Sequence, residues 1–492
     1  MKAEVIVNKN YTIGEIDKRL YGSFIEHLGR AVYSGIYEPG HPEADDQGFR
    51  RDVLEMIKKI DVPIVRYPGG NFVSGYNWED GTGPKEKRPR RLELAWQVTE
   101  TNEVGIDEFQ EWAKRANSEV MMAVNLGTRG ADEARNLLEY CNLDTDTYYA
   151  NLRRQNGFDK PFGIKTWCLG NEMYGNWQMG HKTAEEYGRL AAETANMMKM
   201  ADPNIELIAC GATGSDDWEL TVLNHVYDYV DYLSLHTYYG KQSHVDTPYF
   251  IGQSVQMDAF IKGVAAMCDA VKTIKHSRKT INLAFDEWNV WYHSLGAPYE
   301  KWSVAPRQLE DIYNFEDALL AGCMLITLQN NCDRVKMACL AQLVNVIAPI
   351  MTQPGGKVWA QTIFYPYMYG SMRGRGSAMR AIVKCGSYEK SYAKEIPYLE
   401  TSVIHNEEKR ELVVFAVNRS MEEDMEVDLW FENFGDCVAS EHIQLYCDDM
   451  LAVNTEEEEK VAPITVDVEN TSGTKHTVTL KKHSWNMVVY KY

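Results

Sequence analysis

Trp167-Cys168-Leu169-Gly170-Asn171-Glu172 is an apolar run that stops abruptly on an amide and a carboxylate, and Leu283-Ala284-Phe285-Asp286-Glu287-Trp288 ends the same way. Such short apolar runs read as strands buried on both faces, the pattern of a parallel sheet covered by helices. Working outward, eight segments share it: 21–25, 63–67, 120–125, 165–169, 205–211, 232–236, 281–286 and 337–343. Between them, apolar residues at helical spacing predict helices over 52–60, 106–115, 183–200 and 308–328. Eight strands alternating with helices close most economically as an α/β fold of the (β/α)8 TIM-barrel type, although a doubly wound open sheet gives a similar pattern.

The pattern changes after about Ser371. Segments 412–418, 426–431, 442–446, 464–468 and 477–480 read as short strands between turns and charge clusters, and so as a C-terminal β-sandwich, jelly-roll-like in kind. Residues 2–7 alternate apolar and polar side chains with no helix following, and are expected to pair with that sandwich. The division expected is 1–18 as an N-terminal strand segment joining the sandwich, 19–371 as the catalytic barrel and 372–492 as the sandwich.

The chain has 51 basic and 71 acidic side chains, a formal charge of −20 over 492 residues. A field of that sign repels nucleic acid and anionic membrane, so neither is expected as a partner and an uncharged or cationic ligand is. No apolar run of signal-peptide or transmembrane type is visible at the amino end, which reads as a cytoplasmic protein. Ten cysteines stand singly without CxxC pairs and read as buried thiols rather than disulfides or a zinc site. The acidic run 456–459 reads as a solvated loop.

Polar residues gather where the apolar strands stop: Glu26 and His27, Arg66 to Asn71, Asn171 and Glu172, His236 and Tyr238, and Glu287. In a barrel those strand ends share one mouth. Trp78, Trp96, Trp177 and Trp291 fall in or near its loops, and aromatic faces beside uncharged polar groups suit the CH faces of a sugar. Two carboxylates facing one substrate are what glycoside cleavage requires, one to protonate the leaving oxygen and one to attack the anomeric carbon. Glu172 and Glu287 are the candidates, with Arg66 and Tyr238 able to keep the nucleophile ionised and oriented. Strand alternation is expected to point Asp286 away from Glu287.

Six segments together carry a resemblance: Tyr21-Gly-Ser-Phe-Ile-Glu-His-Leu-Gly-Arg30, Arg66-Tyr-Pro-Gly-Gly-Asn-Phe-Val-Ser-Gly-Tyr-Asn-Trp78, Gly170-Asn-Glu172, Leu235-His-Thr-Tyr-Tyr239, Asp286-Glu-Trp-Asn-Val-Trp291 and Ala341-Gln-Leu-Val-Asn-Val346. Through most of its length the chain resembles glycoside hydrolase family 51, whose characterised members are mostly retaining α-L-arabinofuranosidases. The resemblance implies Glu172 as acid/base, Glu287 as nucleophile and Asn171 as partner of the sugar 2-hydroxyl. It further implies that Glu26, Asn71 and Gln342 bond the remaining furanose hydroxyls, that Arg66 and Tyr238 contact the nucleophile, and that Trp291 borders the sugar. His236 and His27 are read either as hydrogen-bonded support or as direct contacts. No cofactor and no metal are expected, the substrates implied are arabinose-containing oligosaccharides, and a homo-oligomer, hexameric by resemblance, is implied. Rival readings are an endoglucanase or β-xylosidase on the same machinery, a metal-dependent barrel hydrolase or isomerase using Glu26, His27, His236, Asp286 and Glu287, and a non-catalytic carbohydrate-binding protein.

Overall fold

Residues 1–214, 217–469 and 471–492 are described by the structure, a computed structural model. The chain opens with a long strand, β1 (Lys2–Glu15), then enters the barrel through β2 (Gly22–Phe24) and β3 (Ile64–Tyr67). A short hairpin, β4 (Arg91–Glu93) and β5 (Val98–Glu100), stands in the following loop. The barrel continues through β6 (Glu119–Val124), β7 (Thr166–Leu169), β8 (Glu206–Ala209), β9 (Tyr232–Tyr239), β10 (Asn282–Val290) and β11 (Val335–Ala341). Parallel pairing runs from each to the next, and β11 pairs with β2, so the sheet closes into an eight-stranded barrel rather than staying open.

Side-chain alternation fills that barrel. Phe24, Ile64, Met121, Ala123, Cys168, Ile208, Ala284, Met337 and Cys339 point inward and pack as one buried plug. Their neighbours Val65, Val124, Trp167, Leu207, Leu233, Phe285 and Leu340 point outward into the layer shared with the helices. Both faces are therefore dry, which is why these strands read as continuous apolar runs. The expected helix over 308–328 begins later, at Phe315–Asn330. Asn314 stops it from starting sooner: its side chain caps the Asp317 N–H at 3.1 Å while the Asp317 carboxylate accepts the Asn314 N–H at 2.8 Å.

The C-terminal residues form a ten-stranded sheet in which β1 takes an interior place, antiparallel to Ser377–Lys384 and parallel to Met425–Glu432. Ala3, Val5 and Val7 of β1 share one core with Leu429, Val414, Val488 and Tyr490, so distant strands of this sheet face one another across a common interior. Strand Glu411–Asn418 is buried along its whole length. Leu412, Val414 and Ala416 face the sandwich core, while Val413, Phe415 and Val417 join the barrel's layer. No helix among the described residues is long and apolar enough to cross a membrane.

Placing charges at Val5 and Val7 together (Val5→Asp, Val7→Asp) is expected to cost about 3 kcal/mol or more, because neither position offers a partner or water. Urea unfolding checks this, and an unchanged midpoint would mean that β1 is not an integral strand of the sheet.

Candidate active site

Arg66, at the end of β3, is buried at the barrel mouth with its guanidinium 4.8 Å from the centre of the Phe24 ring. Its Nη1 donates to Glu287 Oε1 at 2.6 Å, its Nη2 to Asn171 Oδ1 at 2.7 Å, and its Nε lies 3.1 Å from Asp286 Oδ2. The expectation that Asp286 points away from Glu287 is therefore wrong. The register of β10 against β9 shifts between Ala284 and Glu287, and this irregularity turns two successive carboxylates toward one guanidinium. Asp286 also accepts from Ser234 Oγ at 2.5 Å. Burial pushes its carboxyl up, but Arg66 and then His236 more than offset that and hold it at about 2.

Glu287 is clamped on its other oxygen by the Tyr238 hydroxyl at 2.7 Å, and Tyr238 meets Trp291 edge-on with ring centres 5.6 Å apart. Across the mouth Glu172 follows Gly170, and both take left-handed backbone conformations, φ 41° and 81°. For a non-glycine residue this costs on the order of 1 kcal/mol, a strain tolerated where it aims a functional group. Glu172 Oε1 lies 2.8 Å from His236 Nδ1, and Oε2 accepts the Trp177 indole N–H at 2.7 Å. Burial alone would raise the Glu172 carboxyl; the hydrogen bond and charge of His236, then Trp177 and Arg66, outweigh it and hold it below its usual range. Burial likewise would lower His236, but the charges of Glu287 and Asp286 dominate and raise it to about 10. One carboxylate oxygen from each of Glu172 and Glu287 and one His236 nitrogen all lie within 4.8 Å of one another.

Glu26 forms the far wall. Its Oε1 accepts from the Phe72 N–H at 2.8 Å and the Trp96 indole at 2.9 Å, and Gln342 Oε1 accepts the Glu26 N–H at 2.9 Å. Burial dominates here and pushes the carboxyl up to about 8. Gly70 lies between the two acids: a Cβ there would sit 3.1 Å from Glu26 Oε2 and 3.2 Å from Glu287 Oε1, so any side chain would crowd the floor.

The cavity enclosed is about 460 Å³, lined by Glu26, Asn71, Glu172, Glu287, Tyr238, Trp291 and Gln342 together with Phe24, Leu28, Trp96, Trp177, Leu309 and Ile347. Glu26, Asn71, Glu172, Tyr238, Glu287, Trp291 and Gln342, all expected from the sequence, are thus brought together. Asn171, Arg66 and His236 stand behind, and the Asn171 Nδ2 is buried without a protein partner among the described residues. His27 is structural: buried, it bonds Glu100 at 3.0 Å and the Tyr67 hydroxyl at 2.8 Å. Trp78 also leaves the mouth, packing against Tyr140 and Tyr149. Trp96 was legible only as an aromatic near the mouth; its bond to Glu26 joins residues 70 apart in the chain. The triangle Glu172, His236 and Glu287 has the donor types of a metal site, but Trp177, Arg66 and Tyr238 already engage its carboxylates, and a cation there would sit beside a guanidinium.

Residues 56–256 match the α-L-arabinofuranosidase 1 domain and residues 286–484 the α-L-arabinofuranosidase C-terminal domain. The intracellular exo-α-(1→5)-L-arabinofuranosidase 1 of Bacillus subtilis is 56% identical, over 100% of this chain and 99% of its own. The chain belongs to the α-L-arabinofuranosidase family. Within it, a solved family 51 α-L-arabinofuranosidase from Bifidobacterium longum, AbfB, superposes with a TM-score of 0.95 at 42% identity over 99% of both chains. Another Bifidobacterium longum member, named an exo-α-(1→6)-L-arabinofuranosidase, is 46% identical over 100% of this chain and 97% of its own. Linkage thus varies among arabinofuranosidases this similar.

The two titrations fix the pH window of the site. Asp286 is depressed in the fold, so its contribution is present above the unfolded value near 4 and is lost as pH falls toward about 2. His236 is raised, so its contribution is complete below about 6.5 and is lost as pH climbs through about 10. Unfolding free energy measured across pH should fall at both ends, and Asp286→Asn should flatten the acid limb. An unaltered acid limb would contradict the Arg66–Asp286 pairing.

Proposed function

We propose that the protein is a retaining exo-α-L-arabinofuranosidase that releases terminal non-reducing α-L-arabinofuranosyl groups from arabino-oligosaccharides in the cytoplasm. The observation that carries the mechanism is the spacing of the two glutamates, whose nearest oxygens fall within 4.8 Å. Retaining glycosidases hold their carboxyl groups about 5–5.5 Å apart, whereas inverting ones leave about 6.5–9.5 Å for a water.

In this reading Glu287, paired with Arg66 and aimed by Tyr238, attacks the anomeric carbon and forms a glycosyl ester. Glu172 protonates the departing oxygen and then, as a carboxylate, draws the proton from the water that hydrolyses the ester. His236 supplies the store for that proton, 2.8 Å from Glu172. The proton rests on the imidazole while Glu287 is anionic, and the hold weakens as Glu287 spends its charge on the new bond.

Recognition is assigned to polar groups in and behind the cavity wall. Asn171, with its Oδ1 committed to Arg66, offers its free N–H2 to the sugar 2-hydroxyl. Glu26, Asn71 and Gln342 take the other hydroxyls, and Trp291 borders the ring. A sugar that leaves such groups unpaired loses about 1–3 kcal/mol for each. Family resemblance alone brings a homo-hexamer into the proposal, and 19–371 is proposed as the catalytic unit.

On aryl glycosides, α-L-arabinofuranosides should be cleaved faster than β-xylosides; the reverse order would replace the substrate assigned here. Glu287→Ala should abolish turnover. Glu172→Ala should spare substrates with good leaving groups more than those needing protonation, and azide should rescue it with retained configuration. Rescue with retention in Glu287→Ala instead would exchange the two roles.

A further inference from the structure

The turn after Glu172 carries Gln178, a buried amide outside the cavity lining. Its backbone is pinned by Gln178 N–H to the Gly175 carbonyl at 3.0 Å. Beside it the Lys182 ammonium donates to the Gly180 and Gly127 carbonyls at 2.8 and 3.2 Å. Gly127 has no room for a side chain, since a Cβ would lie 2.2 Å from the Met179 carbonyl oxygen. The turn is therefore held firmly against Gly127, and Gln178 bridges it to the segment 71–75. Ser74 Oγ donates to Gln178 Oε1 at 2.7 Å, and Gln178 Nε2 donates to Asn71 Oδ1.

We propose that Gln178 is a positioning residue that fixes the direction of the Asn71 amide, so that Asn71 meets the substrate only as a donor. The inference rests on the functional reading above and deepens it. The direction of an amide follows from its hydrogen-bond network, and here one group decides it. Ser74 is fully buried, and among the described residues its hydroxyl has, besides Gln178, only the Met173 sulfur, at 4.0 Å. Were Gln178 reversed, its N–H2 would face Ser74 and leave that hydroxyl proton only a weak sulfur acceptor, a loss comparable to leaving a buried donor unmade. Ser74 thus orients Gln178, Gln178 occupies the Asn71 acceptor, and the Asn71 N–H2 is turned to the cavity. Glu26, on the other side of Gly70, presents accepting carboxyl oxygens: Oε1 takes the Phe72 and Trp96 N–H groups, and Oε2 lies 3.5 Å from Gln342 Nε2. A hydroxyl, which accepts and donates at once, satisfies both walls, whereas a hydrogen or a methyl ether at the same carbon leaves one of them unmatched.

Gln178→Glu keeps the volume and the acceptor for Ser74 but removes the donor toward Asn71, so the Asn71 amide reverses. Gln178→Met removes both polar ends and leaves that amide free to choose its better direction. On an aryl α-L-arabinofuranoside, Gln178→Glu should lose about ten-fold or more in kcat/KM, mostly through KM, and Gln178→Met distinctly less. Asn71→Asp, which presents an acceptor from the same place, should match Gln178→Glu, and the double variant should lose little more than either. Thermal unfolding of each variant separates misfolding from misorientation; if Gln178→Glu does not fold, Asn71→Asp against Gln178→Met decides the same question. Wild-type inactivity on this substrate would overturn the functional reading and this inference with it. Wild-type activity with Gln178→Met losing as much as the polarity-reversing variants, Gln178→Glu and Asn71→Asp, would overturn this inference alone.

Discussion

The site depends on one buried positive charge. Arg66 is almost wholly removed from water, and such burial is tolerable only where anions and acceptors replace the lost hydration. Asp286, Glu287 and Asn171 supply them from two other strand ends. The two successive carboxylates of β10 and the direction of the Asn171 amide both serve to satisfy that guanidinium. Removing one partner would leave the remaining charges uncompensated in a dry barrel, so the group behaves as a unit.

A second proton-bearing centre opposes the first. His236 reaches Glu172 at 2.8 Å through Nδ1, and its Nε2 lies 3.3 Å from Asp286. Four carboxyl groups, Glu26, Glu172, Asp286 and Glu287, are thus gathered around two cationic side chains, and the environments of Asp286 and Glu26 push those two apart. Asp286 is held near 2 by its cations, whereas Glu26, farther from them, is driven up to about 8 by burial. Separation of this kind lets one cleft hold an ionised carboxylate, Asp286, near a carboxyl, Glu26, whose charging burial opposes.

Much of this was legible in the sequence because burial on both faces writes itself as an apolar run and strand ends write themselves as abrupt polar stops. All eight barrel strands were legible that way, and Glu172 and Glu287, read from the same polar stops, lie at one cavity. What escaped depended on contacts without local signature. The turning of Asp286 toward Arg66 comes from a register shift that strict period-two reasoning cannot contain. Strand Leu399–Asn406 carries Thr401, Ser402 and His405 and reads as polar, yet these residues are buried because a neighbouring layer covers them. Gln178 looked like any loop glutamine, since its partners Asn71 and Ser74 stand 107 and 104 residues away.

The central claim is that the Arg66 cluster and the Glu172–His236 pair hold two carboxylates close enough for attack by Glu287 itself, with no room for a water between them. The configuration of the first product tests this most directly. Proton NMR recorded in the opening minutes of aryl α-L-arabinofuranoside hydrolysis should show the α-anomer of arabinofuranose appearing first, with the β-anomer growing only as the free sugar mutarotates. A β-anomer formed first would mean that water attacks directly, and would contradict the account.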